Sequence, residues 1–147
     1  MELKIRNMTR ADVPYVCDIQ MTAFGMRTPD DFDHCIESDL YWYGVAQSGY
    51  TIVAYFGTMI IDSECELLTL AVDENYRHMG IGKYVLAGII ANAKKRGCKT
   101  VYLEVNEDNT PAIGLYKKLG FSKRYIRKNY YENATGSKNA IVMQLNI

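Results

Sequence analysis

Two glycines, Gly80 and Gly82, stand two positions apart between an apolar stretch that ends at Val72 and a long run with helical spacing. Arg77, His78, Met79, Ile81 and Lys83 are their neighbours. Glycine lets a backbone approach a ligand with no Cβ in the way. The first N–H groups of a helix lack an intrahelical partner and sit at the positive end of its dipole. The chemistry this suits is the docking of a phosphate group. Two familiar phosphate patterns are excluded. Tyr84 follows Lys83 where a Ser or Thr is needed for G-x-x-x-x-G-K-[ST], and Val85 stands where G-x-G-x-x-G needs its third glycine.

A second chemical candidate lies downstream. Glu104 is set in the apolar run Val101-Tyr-Leu-Glu-Val105. Burial in such a strand would raise the pKa of a carboxyl group toward the range of a general base; strict alternation would equally put Glu104 on a strand surface. Tyr116 follows on a helical pattern with Ile113 and Leu119, where a tyrosine at the edge of a core is the common outcome. Asn109 stands at a helix start, a position that capping alone explains. Leu70, Ala71 and Val72 read as core strand, and Tyr130 and Tyr131 as aromatic strand residues.

The elements that must position these groups follow from periodicity. A strand over Leu3 and Ile5 ends near Asn7, and Thr9 starts a helix that runs toward Phe24. A loop covers Gly25 to Thr28. Thr28-Pro-Asp-Asp31 then reads as the cap and first turn of a second helix carrying Phe32, Cys35 and Ile36. Three strands, Tyr41 to Gln47, Thr51 to Ile61 and Glu64 to Val72, form an antiparallel meander with turns at Ser48-Gly49 and Asp62-Ser63. Ile81, Val85, Leu86, Ile89, Ile90 and Ala93 make the buried stripe of a helix stopped at Gly97. A strand over Thr100 to Val105, a helix through Leu119, and strands over Phe121 to Arg127 and Ala140 to Leu145 complete the chain. The expected fold is mixed α/β (α+β): a mostly antiparallel seven-stranded sheet flanked by about four helices, in a single domain of residues 1–147. The strands at 64–72 and 100–105 should be parallel neighbours, since a helix joins them. A phosphate at Gly80 and Gly82 would then sit beyond their carboxyl ends.

Composition narrows the class. Acidic and basic residues number 17 each, and no basic block marks a nucleic-acid footprint. No apolar run reaches the ~20 residues that span a bilayer, so a cytoplasmic protein without membrane partners is expected. Cys17, Cys35, Cys65 and Cys98 form no C-x-x-C pair, and His34 and His78 complete no metal spacing. Free thiols and no metal are expected. Asn7-Met-Thr9 and Asn133-Ala-Thr135 match the glycosylation pattern, which has no meaning in a cytoplasmic chain.

Taken together, Leu70-Ala-Val-Asp-x-x-Tyr-Arg-x-x-Gly-Ile-Gly82, Leu103-Glu-Val105, Asn109, Ala112-Ile-x-Leu-Tyr116-x-x-Leu-Gly-Phe121 and Arg127-x-Asn-Tyr-Tyr131 resemble the GCN5-related N-acetyltransferases. Within that family they look like the branch that acetylates the N-terminal alanine of ribosomal proteins. The resemblance covers roughly residues 64 to 145; the first 60 match mainly in layout. The stretch from Phe24 to Thr28 has no tryptophan where the branch has one, a departure that bears on acceptor choice.

The resemblance implies acetyl-CoA as co-substrate, with its pyrophosphate on Arg77, His78, Met79, Gly80, Ile81, Gly82 and Lys83. Its pantetheine arm would lie along the backbone of Leu70, Ala71 and Val72, with a further contact from Asn109. It implies Glu104 as general base, Tyr116 as proton donor to the departing thiolate, and Tyr130 and Tyr131 around the N-terminus of a protein acceptor, ribosomal in this branch. Two other readings stay open at this point. One keeps the chemistry and changes the acceptor to a lysine side chain, a polyamine or another small amine. The other is an acyl-CoA-binding module without catalysis.

Overall fold

A computed structural model of the chain describes residues 1–26, 31–131 and 136–147. Its elements run in the expected order. Strand β1 (Lys4–Asn7) leads through a short 3-10 turn (Arg10–Asp12) to helix α1 (Val13–Phe24) and helix α2 (Phe32–Glu37). The meander follows as β2 (Tyr41–Ser48), β3 (Thr51–Ile61) and β4 (Glu64–Val72). A second 3-10 turn (Glu74–Tyr76), helix α3 (Ile81–Lys95), β5 (Thr100–Asn106), α4 (Thr110–Lys118), β6 (Ser122–Arg127) and β7 (Ala140–Asn146) complete it. The seven strands form one sheet in the order β1-β2-β3-β4-β5-β7-β6. The sheet is antiparallel except where β4 meets β5.

Helices cover both faces, as the periodicity requires. On one face Ile81, Val85, Leu86, Ile89 and Ala93 of α3 pack on Leu67, Val101, Leu103 and Val105, with Ile113 and Tyr116 of α4 beside them. On the other, Val16, Cys17 and Ile19 of α1 and Phe32 and Cys35 of α2 pack on Tyr43, Val45 and Tyr55. Gly57 makes the second packing possible, because a Cβ there would meet the Tyr43 ring at 2.3 Å.

Three expectations are revised. The 3-10 turn after Thr9 precedes α1 and is tied by the Asp12 carboxylate, which accepts from the Thr9 N–H (2.8 Å) and hydroxyl (3.1 Å). The N-cap of α2 is Asp31, whose carboxylate accepts from the His34 N–H at 3.1 Å; the Thr28-Pro29-Asp30 start lies outside the described residues. The Asn133 glycosylation pattern lies outside them as well. The third revision matters for function. Strands β4 and β5 are parallel neighbours, but over only three residue pairs, Glu64↔Thr100 to Glu66↔Tyr102. Beyond them the two strands part.

A bulge explains the parting. Thr58 pairs with Leu67 and Gly57 with Thr69, which leaves Leu68 of β4 without an opposite residue on β3. An extra residue bends and twists its strand. It also reverses which side chains face which way. Before the bulge Cys65 and Leu67 face α3; after it Leu70 and Val72 do, and Ala71 turns to the α1 side. From Leu67 onward, β4 therefore offers the β5 side a row of backbone groups with no strand partner.

Candidate active site

Helix α3 starts where the glycine pattern requires. Gly80 is its N-cap and adopts a left-handed conformation (φ 80°), which glycine takes without strain. The first helical hydrogen bond is Tyr84 N–H to Gly80 C=O at 3.0 Å, so the N–H groups of Ile81, Gly82 and Lys83 have no intrahelical partner. Leu70, Ala71, Val72, Arg77, His78, Gly80, Ile81, Gly82, Lys83 and Asn109 all line one groove of about 440 Å³. A Cβ added at Gly82 would reach ordinary contact with Leu115 (3.8 Å) and Val72 (4.0 Å), two other walls of the same groove. A side chain at position 82 would thus fill the groove while sparing the fold. Met79 is the exception among the expected residues: its side chain is exposed and lines no part of the groove. It falls at the outer corner of the turn between His78, itself left-handed (φ 63°), and Gly80.

The groove runs into a second space of about 390 Å³, and Leu70 and Asn109 are walls of both. This second cavity occupies the split between β4 and β5. It holds Glu104 and Tyr116 together, with Tyr131, Phe24 and Thr69 around them. The split is what lets them meet. Val101, Leu103 and Val105 point to the α3 face, so Glu104 points to the opposite one. Tyr116 belongs to α4 and packs on the α3 face. A closed pair of strands would separate the two side chains; parted strands let one group enter from each side.

Burial raises the pKa of the Tyr116 phenol, which keeps its proton through neutral pH. Its ring packs against Phe121 at 5.9 Å between centroids. Asn109 does cap α4, its side-chain oxygen accepting from the Ala112 N–H at 3.3 Å, and lines both spaces as well. Glu104 is mostly buried, with 20% of its side chain exposed, and is not alone: Arg127 donates from Nη1 to its Oε1 at 2.5 Å.

Tyr130 and Tyr131 lie in the turn beyond β6, not in a strand. Their rings meet edge to face, with centroids 4.9 Å apart. With Glu104 and Glu66 they line a small pocket of about 170 Å³ beside the cavity. Burial, then the neighbouring Tyr130 and Glu104, push the Tyr131 phenol up to about 12. Burial and then Glu104 raise Tyr130. Glu66 is raised too, by burial first and by Glu104 second.

The residues that sequence reasoning missed are Glu66, Arg127 as the partner of Glu104, and Ala23, Tyr76, Pro111, Ala112 and Leu115 as walls of the groove. The doublet Leu67-Leu68, which breaks the alternation of Glu64-Cys-Glu-Leu67, was the available signal for the bulge. The four cysteines are buried, and none lines the cavity that holds Glu104. Among the described residues no group of three His, Cys, Asp or Glu side chains could hold a metal ion, and no helix is long and apolar enough to cross a membrane.

The model of the acetyltransferase (GNAT) family matches residues 13–121, about three quarters of the sequence. The chain belongs to that family. It is an acetyltransferase, and the expected family and fold are borne out. The acetyltransferase is 32% identical, over 97% of both chains, to the protein named ribosomal protein bS18-alanine N-acetyltransferase in Escherichia coli strain K12. The crystal structure of the ribosomal-protein-S18-alanine N-acetyltransferase from Escherichia coli superposes with a TM-score of 0.90 at 30% identity, covering 99% of this chain and 94% of that one. A GNAT family acetyltransferase from Elizabethkingia anophelis, solved with acetyl-CoA bound, shares the fold at a TM-score of 0.82 and 21% identity, covering 99% and 98%.

Proposed function

We propose that this acetyltransferase moves the acetyl group of acetyl-CoA onto the N-terminal α-amine of a protein, and that the acceptor is the N-terminal alanine of a small-subunit ribosomal protein. The similarity to the Escherichia coli enzyme named for that reaction supports the acceptor. One observation carries the chemistry: Glu104 and Tyr116, one from each face of the sheet, share a cavity that opens from the groove at the start of α3.

The residue roles follow from that arrangement. The N–H groups of Ile81, Gly82 and Lys83 receive the pyrophosphate, helped by the dipole of α3 and by Lys83 and Arg77 on the groove wall. The backbone of Leu70, Ala71 and Val72, which has no strand partner on its β5 side and whose Val72 carbonyl accepts from Arg77 Nε at 3.3 Å, offers donors and acceptors to the pantetheine amides, as a sheet edge does to an added strand. The thioester then reaches the split. An α-amino group has a pKa near about 8, so a useful fraction is neutral at pH 7, whereas a lysine near about 10.4 is some hundredfold scarcer in neutral form. Glu104 takes the proton that the amine must lose, directly or through a water. Tyr116 gives its phenolic proton to the departing thiolate from the other face. Tyr130 and Tyr131 flank the incoming N-terminus. Transfer is direct within a ternary complex; among the described residues the cavity walls carry no cysteine.

The test compares a free alanine-starting peptide with its N-blocked, lysine-containing version, each with acetyl-CoA. Acetylation of the free peptide and not of the blocked one is the expected result. Equal or faster transfer to the blocked peptide would move the acceptor to a side-chain amine. Mass-spectrometric mapping of N-terminal acetylation in cells with and without the protein then identifies the physiological acceptor.

A further inference from the structure

Arg127 belongs to the Arg-x-Asn-Tyr-Tyr stretch, yet none of the roles above uses it. It closes β6 immediately before a turn in which Asn129 is left-handed (φ 58°). The turn is tied at its base: the Asn129 N–H donates to the Asn139 side chain at 3.1 Å, and the Tyr131 N–H to the Lys138 carbonyl at 2.8 Å. From this anchored position the guanidinium reaches two partners at once. One is the Glu104 carboxylate at 2.5 Å. The other is the face of the Tyr130 ring, with 4.3 Å from the guanidinium carbon to the ring centroid. Arg127 is about half exposed, while Glu104 is mostly enclosed.

This contact has a consequence for binding. The acceptor's α-ammonium must reach the same carboxylate, and at pH 7 most of it arrives charged. Two cations drawn to one carboxylate repel each other. Leaving a mostly buried carboxylate with no cation would also be unfavourable. An exchange avoids both, and the Tyr130 face lowers the cost of releasing the guanidinium, because a cation over an aromatic ring keeps part of its stabilisation.

We propose that Arg127 is an internal stand-in for the acceptor's ammonium group. It holds Glu104 before the acceptor arrives, and the incoming N-terminus replaces it while the guanidinium stays on Tyr130. Arg127 is thus a positioning residue that acts through Glu104, and it sets acceptor affinity by competing for the same carboxylate. The proposal rests on the reading of Glu104 as the group that meets the amine.

The experiment measures calorimetric binding of an alanine-starting peptide with uncharged side chains to the protein saturated with CoA, at pH 7. Removing a competitor tightens binding, so Arg127→Gln should lower the peptide Kd by up to about fivefold, the scale of a part-exposed ion pair. Arg127→Lys keeps a cation and should stay close to the unaltered protein. In a Glu104→Gln background the effect of Arg127→Gln should vanish, because the shared partner is gone. A damaged turn would weaken peptide binding, so a merely structural role predicts the opposite sign. An unchanged or raised Kd in Arg127→Gln overturns the proposal, as does tightening in Arg127→Lys equal to that in Arg127→Gln, or tightening that persists without Glu104. Whether Glu104 is the base is decided separately by the turnover of Glu104→Gln alone, since these binding measurements need no catalysis.

Discussion

The two halves of the sheet are built differently. The β1–β4 half is a meander in which each strand pairs with the next over most of its length. The β5–β7–β6 half is also antiparallel, with the last strand of the chain inserted between the two before it. Between the halves runs a seam of three residue pairs. The charges divide along it as well. Residues 1–80 carry 13 acidic and 5 basic side chains, and residues 81–147 carry 4 and 12. A net charge of zero thus conceals an acidic half and a basic half that meet at the site. Two well-paired halves of one sheet hold the reacting groups, while the poorly paired line between them supplies the opening. Opening a central pair of strands costs backbone hydrogen bonds, which a substrate able to bond to the exposed edge restores.

That contrast is broken most severely by changes at the seam. Glu104→Gln should reduce kcat by about 100-fold or more, the scale of a general base, with little change in the Kd of acetyl-CoA. Equal turnover across the pH range would remove Glu104 from the mechanism. Tyr116→Phe should be milder, about tenfold in kcat, because a thiolate is a tolerable leaving group even when it departs unprotonated. Its buried phenol has a raised pKa, so any fall in rate that comes from losing its proton should appear only above the ordinary tyrosine range, and that limb should be absent in the phenylalanine variant. A pH–rate profile of both proteins checks this. Gly82→Leu should raise the KM for acetyl-CoA by about tenfold, the equivalent of ~1.4 kcal/mol, with melting temperature little altered, since the added atoms enter the groove and not the core. Unchanged KM would contradict the phosphate-binding loop.

The smallest effect belongs far from the seam. Asp12 is buried and paired with Arg6 at 2.7 Å, at the first strand of the acidic half. The hydrogen bond from Arg6 holds its carboxyl below the usual range. A depressed carboxyl contributes stability that is present above its unfolded pKa and lost as pH falls through the folded one. Asp12→Asn should therefore cost about 1–2 kcal/mol at pH 7 and progressively less below about pH 4, with activity retained. Thermal melts of both proteins from pH 3 to 7 measure this; a gap that persists unchanged at low pH would refute the linkage.

What was legible in the sequence was local. The strand, loop and helix around Gly80 and Gly82 can be read from glycine spacing and apolar period, because both act within a few residues. Glu104 stands out as a charge in an apolar strand, and the neighbouring tyrosines and Asn109 as motif members. What was not legible depends on residues distant in sequence. The Leu68 bulge is a relation between β4 and β3, and the three-pair seam a consequence of it. The Arg127–Glu104 pair spans 23 positions and forms only because β7 brings β6 near β5. Nothing local marks Glu66, whose register partner on β5 is Tyr102; it becomes part of the site because Glu104, two residues further along β5, lines the same pocket. Met79 belongs to the same loop, but its side chain is exposed at the corner of the turn.

The most direct test of the central claim is a crystal structure of the protein with CoA bound. The account predicts the pyrophosphate on the N–H groups of Ile81, Gly82 and Lys83, the pantetheine beside Leu70, Ala71 and Val72, and the sulfur in the split between Glu104 and Tyr116. A coenzyme bound elsewhere, or a sulfur remote from both side chains with β4 and β5 closed upon each other, would contradict it.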